Sequence, residues 1–289
     1  MQEVLKVAIQ KSGRLSEKSL EIIRNCGIDF ATDSRVLRER AGNFPLEFLF
    51  VRDDDIPTYV RDGVADIGIV GRNEFDESGF YLEVVKDLKF AKCRLSIAVP
   101  NDFDYKGLES LEGKRIATSY PNIMMKILKE KGVNATPVVV SGSVEITPQV
   151  GIADCICDIV STGTTLKMNG LKEAEEIYRS SAIMIARPGF INTVSEKNRI
   201  LQRLLERMDA VELAKNKKYI LFNLPSEKLD EAASIIGGMK SPTVTPLMDR
   251  SWLSVQSVVS EDRFWSVFED LKAIGAEGIL VMNIEKMTE

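Results

Sequence analysis

The sequence predicts an α/β protein: two α/β lobes around a shared cleft, followed by a small ferredoxin-like module. Three observations lead there. Strand-like apolar runs alternate with amphipathic helices through most of the chain. A short repeat, Gly63-Val64-Ala65-Asp66 and Gly151-Ile152-Ala153-Asp154, opens two apolar strands that each run on to a glycine. After about residue 216 the order becomes β-α-β-β-α-β, the ferredoxin-like arrangement.

The elements follow in order. Leu5 to Ile9 is a strand, and Gln10-Lys11-Ser12-Gly13-Arg14 is a loop with two cations and a glycine. Ser16 is the expected cap of a helix carrying Leu20 and Ile23, with Gly27 as its stop. Leu46 to Val51 is a strand that ends in Arg52-Asp53-Asp54-Asp55, and Pro57 then marks a helix start. Strands at Arg94 to Val99 and Ala182 to Ala186 fall where the chain would cross between lobes. The second lobe is therefore expected at 93–181, between the two pieces of the first, 1–92 and 182–215. Arg115 onward reads as strand, then a helix with Met124, Ile127 and Leu128 on one face. Ser195 to Lys215 is amphipathic, with capping-box spacing from Thr193 to Glu196. In the tail, strands are expected at Tyr219–Leu224, Thr243–Leu247, Trp252–Ser260 and Gly278–Ile284. Helices are expected at Ser226–Ile236, stopped by Gly237-Gly238, and at Arg263–Ile274. Such a module serves regulation or simple packing between chains.

Composition excludes several chemistries. The chain of 289 residues contains no histidine, so catalytic triads, imidazole proton shuttles and histidine-ligated metals are ruled out. Its four cysteines form no CxxC pair, which leaves reduced, partly buried thiols as the expectation. A net charge of −5 does not suit nucleic-acid binding. No apolar run is long enough to span a membrane. The start, MQEVLKVAIQKSGR, has no basic leader followed by an apolar stretch, so a cytoplasmic location is expected. Local cations that can meet an anion are Lys11 and Arg14, Arg52, Lys92 and Arg94, Lys114 and Arg115, and Lys167.

The richest segment is Glu145 to Leu166. An apolar strand carries Asp154 and Asp158, then breaks into Ser161-Thr162-Gly163-Thr164-Thr165. Small residues, hydroxyls and a glycine ahead of a helix can cradle a phosphate with backbone N–H groups. Asp158, a few residues upstream, is suited to sugar hydroxyls or a magnesium ion. The plainer alternative is a buried strand followed by an ordinary turn.

The pattern Glu145-x5-Gly151-x-Ala153-x2-Ile156-x-Asp158-Ile159-x2-Thr162-Gly163-x-Thr165-Leu166 resembles the signature of the ATP phosphoribosyltransferase family. Gln10-Lys11-Ser12-Gly13-Arg14-Leu15, Val51 to Pro57, Cys93-Arg94-Leu95-Ser96, Gly113 to Pro121 and Ile284 to Met287 resemble the family's long form. The resemblance implies a two-lobed core of the type II periplasmic-binding-protein kind and an ACT-like regulatory tail at 216–289. It implies that N1 of ATP displaces pyrophosphate from 5-phosphoribosyl 1-diphosphate, the first step of histidine biosynthesis. Adenine N1 attacks without prior deprotonation. Catalysis then rests on positioning and on stabilising the leaving group with Mg2+ and cations, which an enzyme lacking histidine can manage.

The resemblance implies these roles. Ser161, Thr162, Gly163, Thr164 and Thr165 bind the 5-phosphate. Asp158, with Asp154, holds the ribose hydroxyls, and Glu145 contacts the ribose or the magnesium shell. Lys11, Arg14, Arg52 and Arg94 meet the triphosphate and pyrophosphate, and Asp53 and Glu74 face the nucleotide. Histidine, as feedback inhibitor, meets Ser241 and Thr243 with Asn223 and Ala276 beside them. AMP is a further ligand of this reading, and a dimer–hexamer equilibrium its assembly. Three alternatives stand beside it: a prephenate dehydratase-like enzyme of similar architecture, a solute-binding receptor, and a non-catalytic amino-acid sensor. A dehydratase has no use for the phosphate loop.

Overall fold

A computed structural model describes residues 3–31, 36–160, 163–237 and 241–288. The chain divides into two compact units, Met1–Glu21 with Ile28–Leu201, and Ile22–Gly27 with Gln202–Glu289. The helix Glu196–Lys215 is thus shared between the two units.

The first part runs β1 (Leu5–Gln10), α1 (Arg14–Asn25), β2 (Arg38–Arg40), β3 (Leu46–Val51), α2 (Ile56–Arg61), β4 (Ile67–Gly71), α3 (Arg72–Ser78) and β5 (Glu83–Asp87). It continues with β6 (Cys93–Pro100), β7 (Arg115–Thr118), α4 (Pro121–Glu130), β8 (Thr136–Val139), β9 (Cys155–Val160), α5 (Thr164–Met168), β10 (Leu171–Ser180), β11 (Ala182–Ala186) and α6 (Glu196–Lys215).

These strands form two mixed sheets of like topology, lobe 1 in the order β2-β3-β1-β4-β11-β5 and lobe 2 in the order β10-β6-β9-β7-β8. In lobe 1, β1 lies parallel between β3 and β4, and β11 joins antiparallel after returning from lobe 2. In lobe 2, β7 lies parallel between β8 and β9, and β6 joins antiparallel after arriving from lobe 1. This mirrored second-first-third-returning-fourth order is the type II periplasmic-binding-protein plan. It explains the sequence repeat, because β4 and β9 are the equivalent third strands.

The central strands are apolar on both faces, as parallel strands covered by helices must be. Ala182 to Ala186 are all buried. In lobe 1, Ile56 and Val60 of α2 pack on β4 and β11. Gly68 is required there, since an added Cβ would lie 2.6 Å from Ile56 Cγ2. In lobe 2, Met124 and Leu128 of α4 cover Leu95, Ile97 and Cys157 on one face. Leu166 of α5 covers Ala98, Ile156 and Val160 on the other.

Some local expectations need correction. Helix α1 begins at Arg14, so Ser16 is buried within its first turn and does not cap it. The cap of α6 is Ser195, whose Oγ accepts the Asn198 N–H at 3.2 Å. Thr193 instead gives its hydroxyl to the Phe190 carbonyl. Strands β2, β5, β8 and β10 are additional to those the sequence predicts. All four cysteines are free thiols.

The second unit continues with β12 (Lys217–Pro225), α7 (Leu229–Ile236), β13 (Thr243–Pro246), β14 (Trp252–Ser260), α8 (Phe264–Ala273) and β15 (Glu277–Asn283). Its antiparallel sheet, ordered β13-β14-β12-β15, is ferredoxin-like. Alternation along β12 and β14 buries Ile220, Phe222, Leu224, Val255 and Val259 against both helices. Gly237 ends α7 in the left-handed conformation, and Gly238 lies outside the described residues. No helix among the described residues is long and apolar enough to cross a membrane.

Candidate functional site

The repeated aspartates are structural and sit at the strand starts. Asp66, just before β4, accepts the Lys6 N–H of β1 at 2.9 Å. Asp154, just before β9, accepts the Arg115 N–H of β7 at 2.8 Å. Each thereby ties a third strand to the first strand beside it. Asp66 is buried and also holds the Lys197 ammonium at 2.9 Å. Asp154 is more exposed and pairs with the Arg115 guanidinium at 3.3 Å. This corrects the expectation for Asp154. It lies at the end of β9 opposite to Asp158 and is engaged with Arg115, so it is withdrawn from the ribose-binding set.

The chemistry gathers at the other strand ends, where ligands bind in open α/β sheets. Asp158 is half-buried near the end of β9 and accepts the following Ile159 N–H at 2.8 Å. Burial, and then the charge of Glu145, pushes its carboxyl up to about 6 despite that hydrogen bond. Glu145 sits in a short turn, Val144–Ile146, after β8. Gly163, with φ 72°, turns the chain into α5, and Thr164 and Thr165 are exposed in its first turn. Ser161 and Thr162 lie outside the described residues. Arg94, at the start of β6, forms a bidentate pair with Glu173, with Nη2 at 2.7 Å from Oε2. Ser96, opposite Asp158 in the sheet, gives its hydroxyl to the same Glu173 at 2.8 Å.

In lobe 1, Lys11 and Arg14 are exposed in the loop after β1, and the Lys11 N–H bonds the Val51 carbonyl. Arg52 is exposed and held bidentate by Asp54, at 2.9 and 3.0 Å. Gln10 donates to Asp53 at 3.2 Å, joining the ends of β1 and β3.

Glu74 and Tyr120, joined by Asn73, Asp76, Glu77 and Tyr178, which the sequence did not single out, link the lobes through α3. The Tyr120 hydroxyl donates to Glu74 Oε1 at 2.8 Å, and Asn73 Nδ2 reaches the same oxygen at 2.9 Å. Burial raises the Glu74 carboxyl above its usual range, with the Asp53, Asp54 and Glu77 charges adding to it. Burial and the Glu74 charge push the Tyr120 phenol up as well, and the Asp158 charge adds to them. Glu145, Asp158, Tyr120, Glu74 and Asp53 therefore form one electrostatic chain across the lobes. Beside it, Glu77 caps α4: its two oxygens accept the Asn122 and Ile123 N–H groups at 2.9 and 3.0 Å. Pro121, at the first helical positions, has no N–H to satisfy. Tyr178 donates its hydroxyl to Asp76, also on α3. The motif Tyr120-Pro121 was visible in the sequence, but no local periodicity ties it to residues near 74.

Asp158 and Glu145 carry hard oxygen donors, and no set of three or more His, Cys, Asp or Glu that could hold a metal ion is found among the described residues. A two-carboxylate edge suits an ion held mainly by substrate phosphates.

The predicted effector residues all lie in the second unit. Ser241 and Thr243 are exposed at and before β13, an edge strand. Lys240 lies outside the described residues. Asn223 stands at a register shift in β12, opposite Ser254 and Glu277. Ala276 is packed in the apolar core, and its N–H bonds the Leu271 carbonyl.

Comparison with known proteins gives a consistent result. The ATP phosphoribosyltransferase family model matches residues 52–210, and the HisG C-terminal domain model matches residues 214–286. An ATP phosphoribosyltransferase of Cytophaga hutchinsonii is 52% identical over 289 residues, the full length of both chains. One from Parabacteroides distasonis is 51% identical over 98% of this chain and 99% of that one. A solved HisG:HisZ complex of ATP phosphoribosyl transferase from Thermotoga maritima is 31% identical, covers 71% of this chain and 99% of that chain, and has a TM-score of 0.60. With the family models matching residues 52–210 and 214–286 and a relative 52% identical over the full length, the chain belongs to the ATP phosphoribosyltransferase family.

Proposed function

We propose that the ends of β4 and β9 hold ATP and 5-phosphoribosyl 1-diphosphate for the family's reaction. The C1–N1 bond forms as the C1–oxygen bond to pyrophosphate breaks, and the electron pair leaves with pyrophosphate. Gly163, Thr164 and Thr165, with Ser161 and Thr162 beside them in sequence, bind the 5-phosphate. Asp158 orients the ribose hydroxyls and Glu145 stands next to it. Lys11, Arg14, Arg52 and Arg94 meet the phosphates of the two substrates. For Arg52 and Arg94 this means exchanging Asp54 and Glu173 for a phosphate. Asp53 and Glu74 face the nucleotide. Mg2+, bound chiefly through substrate phosphates, supplies charge neutralisation for the departing pyrophosphate.

The observation that carries this reading is Asp158, a half-buried carboxylate with a raised pKa five residues before the Gly163 turn. Desolvation disfavours the charged form of that carboxyl, so hydroxyl donors or a cation brought by a substrate would supply the stabilisation that water does not.

The same reading assigns residues 1–92 with 182–215 to one catalytic lobe, 93–181 to the other, and 216–289 to an ACT-like regulatory domain. The change of sheet between β5 and β6 and between β10 and β11 supports the inner boundaries. Histidine is the proposed inhibitor, received at Ser241, Thr243 and Asn223, with AMP as a second effector. A dimer–hexamer equilibrium and a cytoplasmic location complete the proposal.

The test is turnover. Purified protein is mixed with ATP, phosphoribosyl diphosphate and magnesium, with pyrophosphatase present, and the near-ultraviolet absorbance of N1-substituted adenine is followed. A rise that histidine suppresses supports both the site and the regulatory tail. A rise indifferent to histidine removes the inhibitor from the proposal, and no rise removes the site.

A further inference from the structure

A cleft of about 490 Å³ opens where the chain crosses between the lobes. Its lining includes Arg72, Lys92, Arg94, Arg179 and Val160. Four cations thus face one space against the single carboxylate of Glu176, in a chain whose net charge is −5. Two of them, Arg94 and Arg179, stand directly opposite each other on β6 and β10. Like charges at paired strand positions are destabilising, so this placement needs a compensating gain. Arg94 is shared with Glu173, and Arg179 with Glu176. Arg72 and Lys92 have no hydrogen-bond or ion-pair partner for their side chains among the described residues.

We propose that this cleft is a polyphosphate-binding site in which Arg72, Lys92 and Arg179 act together with Arg94. Two of the three, Arg72 and Arg179, carried no signal in the sequence analysis. The proposal rests on the reading given above for the strand-end loop and extends it. Val160, which lines the cleft, is the last residue of β9 and directly precedes in sequence the loop assigned to the 5-phosphate. A ribosyl donor charged at both ends needs a second anion subsite at a distance from the first. The guanidinium groups supply forked donors for phosphate oxygens, and Lys92 adds a point charge. Burial pushes the Cys93 thiol up, so this neighbour remains neutral and leaves the cationic field intact. The diphosphate of the ribosyl donor and the triphosphate of ATP share the required chemistry.

The experiment combines direct binding with kinetics on the Arg72→Gln/Lys92→Gln double variant. Both side chains lack partners, so the variant is expected to melt with the wild type. Titration with inorganic pyrophosphate and inorganic triphosphate should show affinity weakened about tenfold or more for each lost charge-assisted contact. A raised KM for phosphoribosyl diphosphate alone assigns the cleft to the diphosphate, and a raised KM for ATP alone assigns it to the triphosphate. Unchanged affinity for both inorganic anions in the folded variant overturns the proposal. If wild-type protein fails to turn over while its pyrophosphate binding still depends on Arg72 and Lys92, the anion site stands and the strand-end reading falls.

Discussion

In lobe 1, Asp66 is buried, bonds the neighbouring strand and holds Lys197. In lobe 2, Asp154 does the same for its neighbouring strand but pairs with Arg115 half in water. One device therefore starts both third strands. At their far ends the lobes part ways. Strand β4 runs into α3, whose Glu74, Asp76 and Glu77 reach residues of lobe 2. Strand β9 runs into the hydroxyl-rich loop before α5. The comparison teaches that the duplicated plan is kept at the strand starts, where it serves folding, and diverges at the strand ends, where the proposed ligand site lies.

The sharpest way to break this division is Asp158→Asn. Catalytic efficiency with phosphoribosyl diphosphate should fall by about 10²–10³, the scale of losing a charged contact made in the transition state. The melting temperature should not fall. A carboxyl with a raised folded pKa stabilises the protein at low pH, and that contribution is lost as pH rises through about 6. Removing the charge therefore relieves a cost at neutral pH. Unimpaired kinetics in this variant would sink the site assignment.

Next comes the pair Asp66→Asn and Asp154→Asn. Chemical denaturation should give a loss of about 3 kcal/mol for the buried Asp66, where Lys197 loses its counter-charge. The more exposed Asp154 should cost about 1 kcal/mol. Arg115 holds the Asp154 carboxyl below the usual range. Its contribution is present at neutral pH and is lost as pH falls through that lowered value. Equal losses at both positions would contradict the distinction between the lobes.

Glu77→Gln tests the link from α3. Stability should drop by about 1 kcal/mol, the worth of a charged helix cap. The KM for ATP should also rise, because Tyr120 and Glu74 lose a fixed frame. A change in stability with wild-type KM would mark Glu77 as structural only.

The smallest effect is expected from Glu145→Gln. Below about 6, Asp158 takes up a proton and accepts fewer hydrogen bonds, so activity with phosphoribosyl diphosphate should fall toward acid pH. The Glu145 charge helps to raise the Asp158 carboxyl, so its removal should shift that acid limb to lower pH. A pH–rate profile reads the shift directly, and a limb that stays put would uncouple the two residues.

Much of this molecule was legible beforehand. Strands β1, β3, β11 and β14 have bounds within a residue of those expected, because apolar runs between turn signals mark buried strands. The tail's element order was readable for the same reason. Strands β2, β5 and β10 were not, since Arg38–Arg40, Glu83–Asp87 and Leu171–Ser180 are rich in charge and gain their structure by pairing with a neighbour. The caps misled because Ser16 and Thr193 have the right chemistry, yet the helices begin at other residues.

The sequence by itself determined the α/β class, the repeat, the phosphate-loop candidate and the family resemblance. All of these are written in local composition and spacing. Only the tertiary structure decided that Asp154 anchors the start of β9, that Glu77 caps a helix of the other lobe, and that Arg94 and Arg179 stand face to face. Those outcomes depend on partners between 39 and 85 residues away, a span over which chain topology, and not local preference, selects who meets whom.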